Sequence, residues 1–343
     1  MRQAIGAPEA FTSVDGMISE FCEPLSLLTL EGDAHAGVRA AVDDRFTPET
    51  VVAVDPVIEE AAVRSVGALP EHGTAELMDA CFKPVTGAAV AELFGLPKTD
   101  PARLMRWADA LGPRETGPDP AADAVLDAGA RAAAAEVDAA LGPVVEGLKA
   151  APDSSFLSRL THCGRPPGDP RPTADVLSTV KLCVASFREI ADATANALHA
   201  LLTHPEQHAA LRADPALLAG WVRESLRWSP PIAVLERVTT VPVRLGAHTV
   251  PAGERIAVAT ASANRDERAF TDPETFDIRR TPAPVLTFGY GTHRCLVRAL
   301  VPRVLRITLA TLLERRPGLR LAAGQPGPSG WRVRTLDRLT VEF

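Results

Sequence analysis

The sequence predicts a mostly α protein with small β-sheets, an α+β arrangement folded as one domain over residues 1–343. Three observations predict it. Through the first 225 residues, Ala- and Leu-rich segments with three- and four-residue apolar steps are broken by Pro/Gly clusters. Beyond Pro230-Pro231 the pattern turns to short alternating stretches around glycine turns, and from Leu296 it returns to helical periodicity. No internal repeat and no long linker divides the chain, so one interleaved domain is expected although the length would also accommodate two.

In order along the chain, Gly112-Pro113, Gly117-Pro118 and Arg165-Pro-Pro-Gly-Asp-Pro170 punctuate the helical part. The longest predicted helix runs from about Thr173 to His204, with Leu177, Val180, Val184, Phe187, Ala191, Thr194 and Leu198 on one face. A helix of about 30 residues spans roughly 45 Å, enough to cross a domain. Strands are predicted at 238–245 and 254–259, around Gly246 and the Pro251-Ala-Gly253 turn. A last helix is predicted over Leu296 to Leu313, led by Leu296, Leu300, Val301, Leu305 and Leu309.

Composition narrows the function. With 46 % hydrophobic and 23 % charged residues the chain can build a core, which excludes the disordered and low-complexity classes. A net charge of −7 argues against nucleic acid as a partner, because phosphate binding calls for a basic surface. There is no long uncharged apolar run and no signal-peptide pattern at the start, so a cytoplasmic protein without a membrane partner is expected. The five cysteines, at 22, 81, 163, 183 and 295, form no CxxC pair and suggest neither a disulfide framework nor a zinc ribbon. Four read as small buried residues.

Cys295 is different. In Phe288-Gly289-Tyr290-Gly291-Thr292-His293-Arg294-Cys295, two glycines permit a tight bend with inward N–H groups, and the cysteine precedes a predicted helix. Helix dipole and N–H donors would lower a thiol pKa there, giving a metal ligand or a nucleophile. Taken alone, the pattern fits a buried cysteine after a β-bulge equally well.

The loop matches the heme-binding signature Phe-Gly-x-Gly-x-His-x-Cys, and with its neighbours it resembles the cytochrome P450 superfamily of soluble bacterial type. Glu224-Ser225-Leu226-Arg227 resembles that family's Glu-x-x-Arg motif, and Arg280 of Phe276-Asp-Ile-Arg-Arg280 stands where a third arginine joins it. Its i, i+3 spacing places both charges on one helix face. Asp33-Ala-His35-Ala-Gly-Val-Arg39 resembles the helix whose His and Arg meet heme propionates, and Arg237 and His293 occupy the other two propionate positions.

The resemblance implies a P450-like fold and a b-type heme, iron protoporphyrin IX, in contact with His35, Arg39, Arg237, Phe288, Gly289, His293 and Cys295. It makes Cys295 the iron ligand, a thiolate that favours O–O cleavage. It also implies a small-molecule substrate facing the stretches from Ser13 to Leu30, Cys183 to Thr194 and Pro230 to Leu235, with electrons from a ferredoxin and its reductase or oxidant from peroxide. These stretches are aliphatic, with polarity at Arg188 and Glu189 suited to a charged or amide group.

The chain departs from the family at three places. The helix beginning at Arg2 resembles one that family members reach only after further N-terminal elements, so the usual first helix and strands are expected to be missing: either the native start lies upstream, or part of the sheet has been lost. In the oxygen-activating helix the acid persists as Asp192, whereas the usual Ala-Gly pair is Glu189-Ile190 and the usual threonine is Ala193. Ile190 would narrow the distal pocket, Ala193 has no hydroxyl for proton delivery, and Glu189 is the candidate replacement donor, making Asp192 and Glu189 the candidate catalytic residues. Third, the usual Cys-x-Gly reads Cys295-Leu296-Val297, which bears on how closely the next helix approaches a porphyrin.

Two functional readings follow. One is a heme-thiolate oxidoreductase of bacterial secondary metabolism, acting on an aliphatic, peptide- or polyketide-type intermediate with substrate-assisted, peroxide-driven or coupling and rearrangement chemistry. The other is a heme-free P450-like helper that activates a partner enzyme such as a glycosyltransferase.

Overall fold

The structure is a computed structural model and describes residues 1–13, 26–96, 99–113, 120–166 and 168–343. Cys22, the Gly117-Pro118 turn and most of the predicted substrate-facing stretch from Ser13 to Leu30 lie outside the described residues.

A short helix α1 (Arg2–Gly6) and strand β1 (Phe11–Thr12) lead to α2 (Gly32–Val42), α3 (Pro48–Val51) and α4 (Asp55–Gly67). Strand β2 (Thr74–Glu76) and a π-helical turn over Met78–Phe82 precede α5 (Lys83–Leu93). Then come α6 (Pro101–Leu111), α7 (Pro120–Ala150), α8 (Phe156–His162), α9 (Thr173–Ala185), α10 (Arg188–Leu202), α11 (Pro205–Ala213) and α12 (Leu218–Trp228). The start signals are local: Asp100 accepts from Ala102 N–H with Pro101 behind it, and Ser155 accepts from Ser158 N–H.

Short strands follow: β3 (Leu235–Thr239), β4 (Val243–Leu245), β5 (His248–Val250) and β6 (Arg255–Val258). The predicted strand at 238–245 is therefore two strands, divided where Pro242 offers no N–H to a ladder. The chain ends with α13 (Thr260–Ala263), α14 (Leu300–Arg315), β7 (Arg320–Leu321) and β8 (Thr340–Glu342). One sheet has the order β1-β3-β6, a second β2-β8-β7, and β4-β5 is a hairpin. Pairing of Phe11 with Thr239 ties the start of the chain to the strand carrying Arg237.

The predicted long helix is interrupted. Ser186 and Phe187 bond back three residues, to Cys183 O and Val184 O, and Ser186 Oγ donates to Leu182 O at 3.1 Å. Such side-chain back-bonding bends a helix, and Phe187 turns inward onto Phe94, ring centroids 5.0 Å apart. Beyond this break α10 is buried from Ile190 to Leu201, packed between α5, α11, α12 and α14. The mostly α architecture with small sheets is as the sequence predicts.

Candidate active site

The cysteine loop is held by its neighbours before it holds anything itself. Leu286 N–H donates to Asn264 Oδ1 at 2.7 Å, and Thr287 Oγ1 donates to Leu226 O at 2.6 Å, fastening the loop's entrance to α12 and to the turn after α13. Gly289 and Gly291 adopt φ of 68° and 78°, and Cys295 N–H closes the bend on Phe288 O at 2.9 Å. A Cβ on Gly291 would stand 3.0 Å from both Gly6 Cα and Ile5 O, so glycine is what lets α1 lie on the loop.

Helix α14 begins at Leu300, and Leu296–Ala299 form turns, so the helix N-terminus stands further from Cys295 than the periodicity predicts. The expected lowering of the thiol pKa is not found. Burial, followed by the nearby Glu189 charge, pushes the Cys295 thiol up to about 11, outweighing the Val297 N–H that favours the thiolate. A coordinating metal removes such a thiol proton outright, so the shift describes the metal-free side chain only.

Basic groups converge beside the loop. His35 and Arg39 stand one turn apart on α2, and His35 faces His293, the two imidazole rings lying 4.3 Å apart. Arg39 pairs with Asp43 at 2.8 Å and donates to Arg294 O at 3.0 Å. Burial, then His293 and Arg39, lower the His35 pKa to about 4, so the ring is neutral at pH 7. His35 is only 4 % exposed and its Nε2 has no hydrogen-bond partner among the described residues. Arg237 is 7 % exposed and bonds through Nη1 to the Glu236 carbonyl at 2.7 Å; burial depresses its pKa. Buried donors without acceptors are costly, and two propionates would supply the acceptors, so these residues fit a heme. Phe288 packs against the core at the same loop.

The two candidate acids are placed differently. Asp192 is 2 % exposed and ion-paired with Arg188 at 2.9 Å; Arg188 reaches Asp109 at 2.7 Å, Asp109 reaches Lys83 at 2.8 Å, and Lys83 reaches the exposed Asp79 at 2.7 Å. Burial nevertheless raises the Asp192 pKa to about 6. Arg188, expected to face substrate, is committed to this ion chain. Glu189 makes no bond to any described residue; its charge acts on the Cys295 thiol, and the Asp192 charge acts on it. Burial, then Asp192, pushes the Glu189 pKa up to about 8. Glu189 and Cys295 are both half-buried and stand close enough for the Glu189 charge to act on the thiol. Beside them Ile190 is buried, Ala193 offers no hydroxyl, and Thr194 Oγ1 is spent on Ile190 O at 2.8 Å.

The Glu224 network assembles around both arginines. Arg227 donates from Nε to Glu224 Oε2 at 2.8 Å and from Nη2 to Oε1 at 2.7 Å, while Arg280 Nε reaches Oε1 at 3.1 Å. Among the described cysteines, Cys81 and Cys163 are buried and Cys183 is half-buried. Sequence reasoning missed Glu31, Asp109 and Lys83; Asn264 lies in Ala263-Asn-Arg-Asp266, a run that resembles the family's segment between sheet and heme loop but gives no hint of its hold on that loop. Of the three missed, Glu31 carried a local signal: it stands just before α2, a position where shorter polar side chains are preferred.

No described helix is long and apolar enough to cross a membrane. A family model described as Cytochrome P450 matches residues 176–315. The chain is 33 % identical over 326 residues to cytochrome P450 monooxygenase PikC of Streptomyces venezuelae, covering 93 % of this chain and 76 % of that protein. It is 30 % identical over 323 residues to nocardicin C N-oxygenase of Nocardia uniformis subsp. tsuyamanensis, covering 93 % and 78 % respectively. The crystal structure of HmtN, a post-tailoring hydroxylase involved in himastatin biosynthesis, superposes with a TM-score of 0.85 at 26 % identity, covering 99 % of this chain and 88 % of that one. With its cysteine loop, its Glu224 network and these relatives, the chain belongs to the cytochrome P450 family and is an oxidoreductase of that heme-thiolate kind.

Proposed function

We propose that this P450 is a monooxygenase of bacterial secondary metabolism that binds a b-type heme through Cys295, oxidises a small, largely aliphatic intermediate of peptide or polyketide type, and manages distal protons through Glu189 in place of a hydroxyl. The observation that carries it is Glu189 itself: a carboxyl group that makes no bond to any described residue and whose charge acts on the Cys295 thiol, on a helix with alanine at 193 and no free hydroxyl at 194.

When bound, the heme supplies reductive oxygen activation, drawing electrons from a ferredoxin and its reductase or oxidant from peroxide. The protein's share is positional. Cys295 Sγ is the iron ligand, with Val297 N–H directed at it. His35 Nε2 and Arg237 retain donors for the propionates, while Arg39 and His293 frame them. Glu189, with its pKa near 8, holds a proton on its carboxyl at neutral pH and can give it up to a reacting group beside it. Asp192 is fixed by Arg188 and serves the charge network behind the helix. Ile190, Ala233, Val234 and Leu235 are apolar, three of them buried, which supports an aliphatic substrate. Relatives that N-oxygenate nocardicin C or hydroxylate in himastatin biosynthesis support oxygenation in such metabolism.

A carbon monoxide difference spectrum of the reduced protein tests the heme reading. A thiolate-type Soret band that Cys295→Ser abolishes is the expected result. Absence of any Soret band after heme supplementation overturns it and favours a heme-free helper. With the spectrum in hand, Glu189→Gln should lower ferredoxin-driven turnover by about 100-fold, the size of a typical general-acid contribution. Unchanged turnover removes Glu189 from the mechanism.

A further inference from the structure

Glu31 occupies an unusual place. It is the N-cap residue of α2, yet its side chain makes no capping bond to that helix. It turns away instead. Oε1 accepts from Thr12 Oγ1 at 3.1 Å and from Ser13 N–H at 3.3 Å, and Oε2 meets His293 Nε2 at 3.1 Å. One carboxylate thus links the end of β1, the start of α2 and the cysteine loop.

The fixed charges around it can be counted. Arg39 is already matched by Asp43. His35 is a neutral donor. Arg237 forms no ion pair with a described residue, and the acid whose charge acts on it is Glu31. Arg39 and Arg237 are thus met by as many carboxylates, Asp43 and Glu31, before any ligand carboxylate arrives, and the further cation, Arg298, stands at the Cys295 carbonyl. Two propionates would therefore enter beside a resident anion that is held by three donors and is not free to swing aside. His293 offers them less than its position suggests, because its Nε2 is already engaged by Glu31.

We propose that Glu31 is a third carboxylate in the propionate cradle, a positioning residue that orients His293 and loosens the chain's hold on its heme. The inference rests on the heme reading above. Replacing Glu31 by glutamine removes the charge and keeps an acceptor for His293. Replacing it by serine also removes the charge and supplies a side chain that caps α2, which protects the fold.

The test is heme transfer from the purified holoenzyme to an excess of apo-globin, followed in the Soret region at low and at high salt. At low salt the wild-type protein should lose heme about fivefold faster than Glu31→Gln and Glu31→Ser, the effect of one nearby unit charge in a solvated site. At 1 M salt the difference should close, because the screening length falls to about 3 Å. Equal or faster heme loss from both variants at low salt overturns the proposal, since a purely structural brace predicts that outcome. A gap that persists undiminished at high salt overturns it as well. A wild-type protein that carries no heme at all overturns the heme reading first and this inference with it.

Discussion

Glu189 carries a consequence that can be measured without any cofactor. Its folded-state pKa lies near 8, above the usual carboxylate value of 4.5, because burial and the Asp192 charge disfavour ionisation. A raised carboxyl pKa means that the folded chain binds the proton more tightly than the unfolded one. Its stabilising contribution is complete below about pH 4.5 and is lost as pH rises towards 8. The melting temperature of the heme-free chain should therefore carry a downward slope over this window, and Glu189→Gln should flatten it. An identical slope in the variant would show that the carboxyl finds a partner. At this scale the sequence was partly legible: residue types in a recognisable order placed His35 beside the His293 of the cysteine loop and Arg280 beside Glu224 and Arg227. The state of each group was not, because the thiol's pKa depends on burial from helices far away in sequence, and Arg188's partner Asp109 is on another helix.

Elements obey local chemistry until packing overrides it. Apolar steps from Leu177 to Leu198 continue across Ser186-Phe187, so periodicity alone gives one helix; the break comes from a serine hydroxyl that competes for a backbone carbonyl and from a phenylalanine drawn onto Phe94. The same limit explains Leu296–Ala299, whose apolar spacing is helical although the loop's bend at Cys295 delays the first turn of α14. Close approach is equally invisible to periodicity. A Cβ on Gly220 of α12 would lie 2.1 Å from Ile278 O, backbone that cannot move aside cheaply. Gly220→Ala should cost about 1–3 kcal/mol by overpacking, despite alanine's better helix propensity. Chemical denaturation measures this directly, and a variant as stable as the parent would mean that the 270–280 segment shifts freely.

Across the whole molecule, a network far from the chemistry is joined by hydrogen bonds to the entrance of the cysteine loop. Glu224 accepts from Arg227, Arg280 and Asp277 N–H. Arg227 in turn donates to the carbonyls of Asn264, Pro273 and Thr275, and Asn264 holds Leu286 and Thr287 at the loop's entrance. The chain of contacts thus runs from α12 through the 264–280 segment to Cys295. Glu224 and both guanidinium groups lie mostly inside, so removing the one carboxylate leaves two cations without their counter-charge. Breaking a buried pair in this way costs about 3–5 kcal/mol. Glu224→Gln should therefore lower thermal stability strongly and reduce the heme carried by the purified protein. Arg280→Lys, which keeps the charge but loses the guanidinium fork to the 271–275 carbonyls, should do less of both. Heme content per chain and melting temperature should fall together across the two variants if the network acts through the loop. Full heme content in a destabilised Glu224→Gln protein would mean instead that Asn264 and Thr287 hold the loop without help from Glu224.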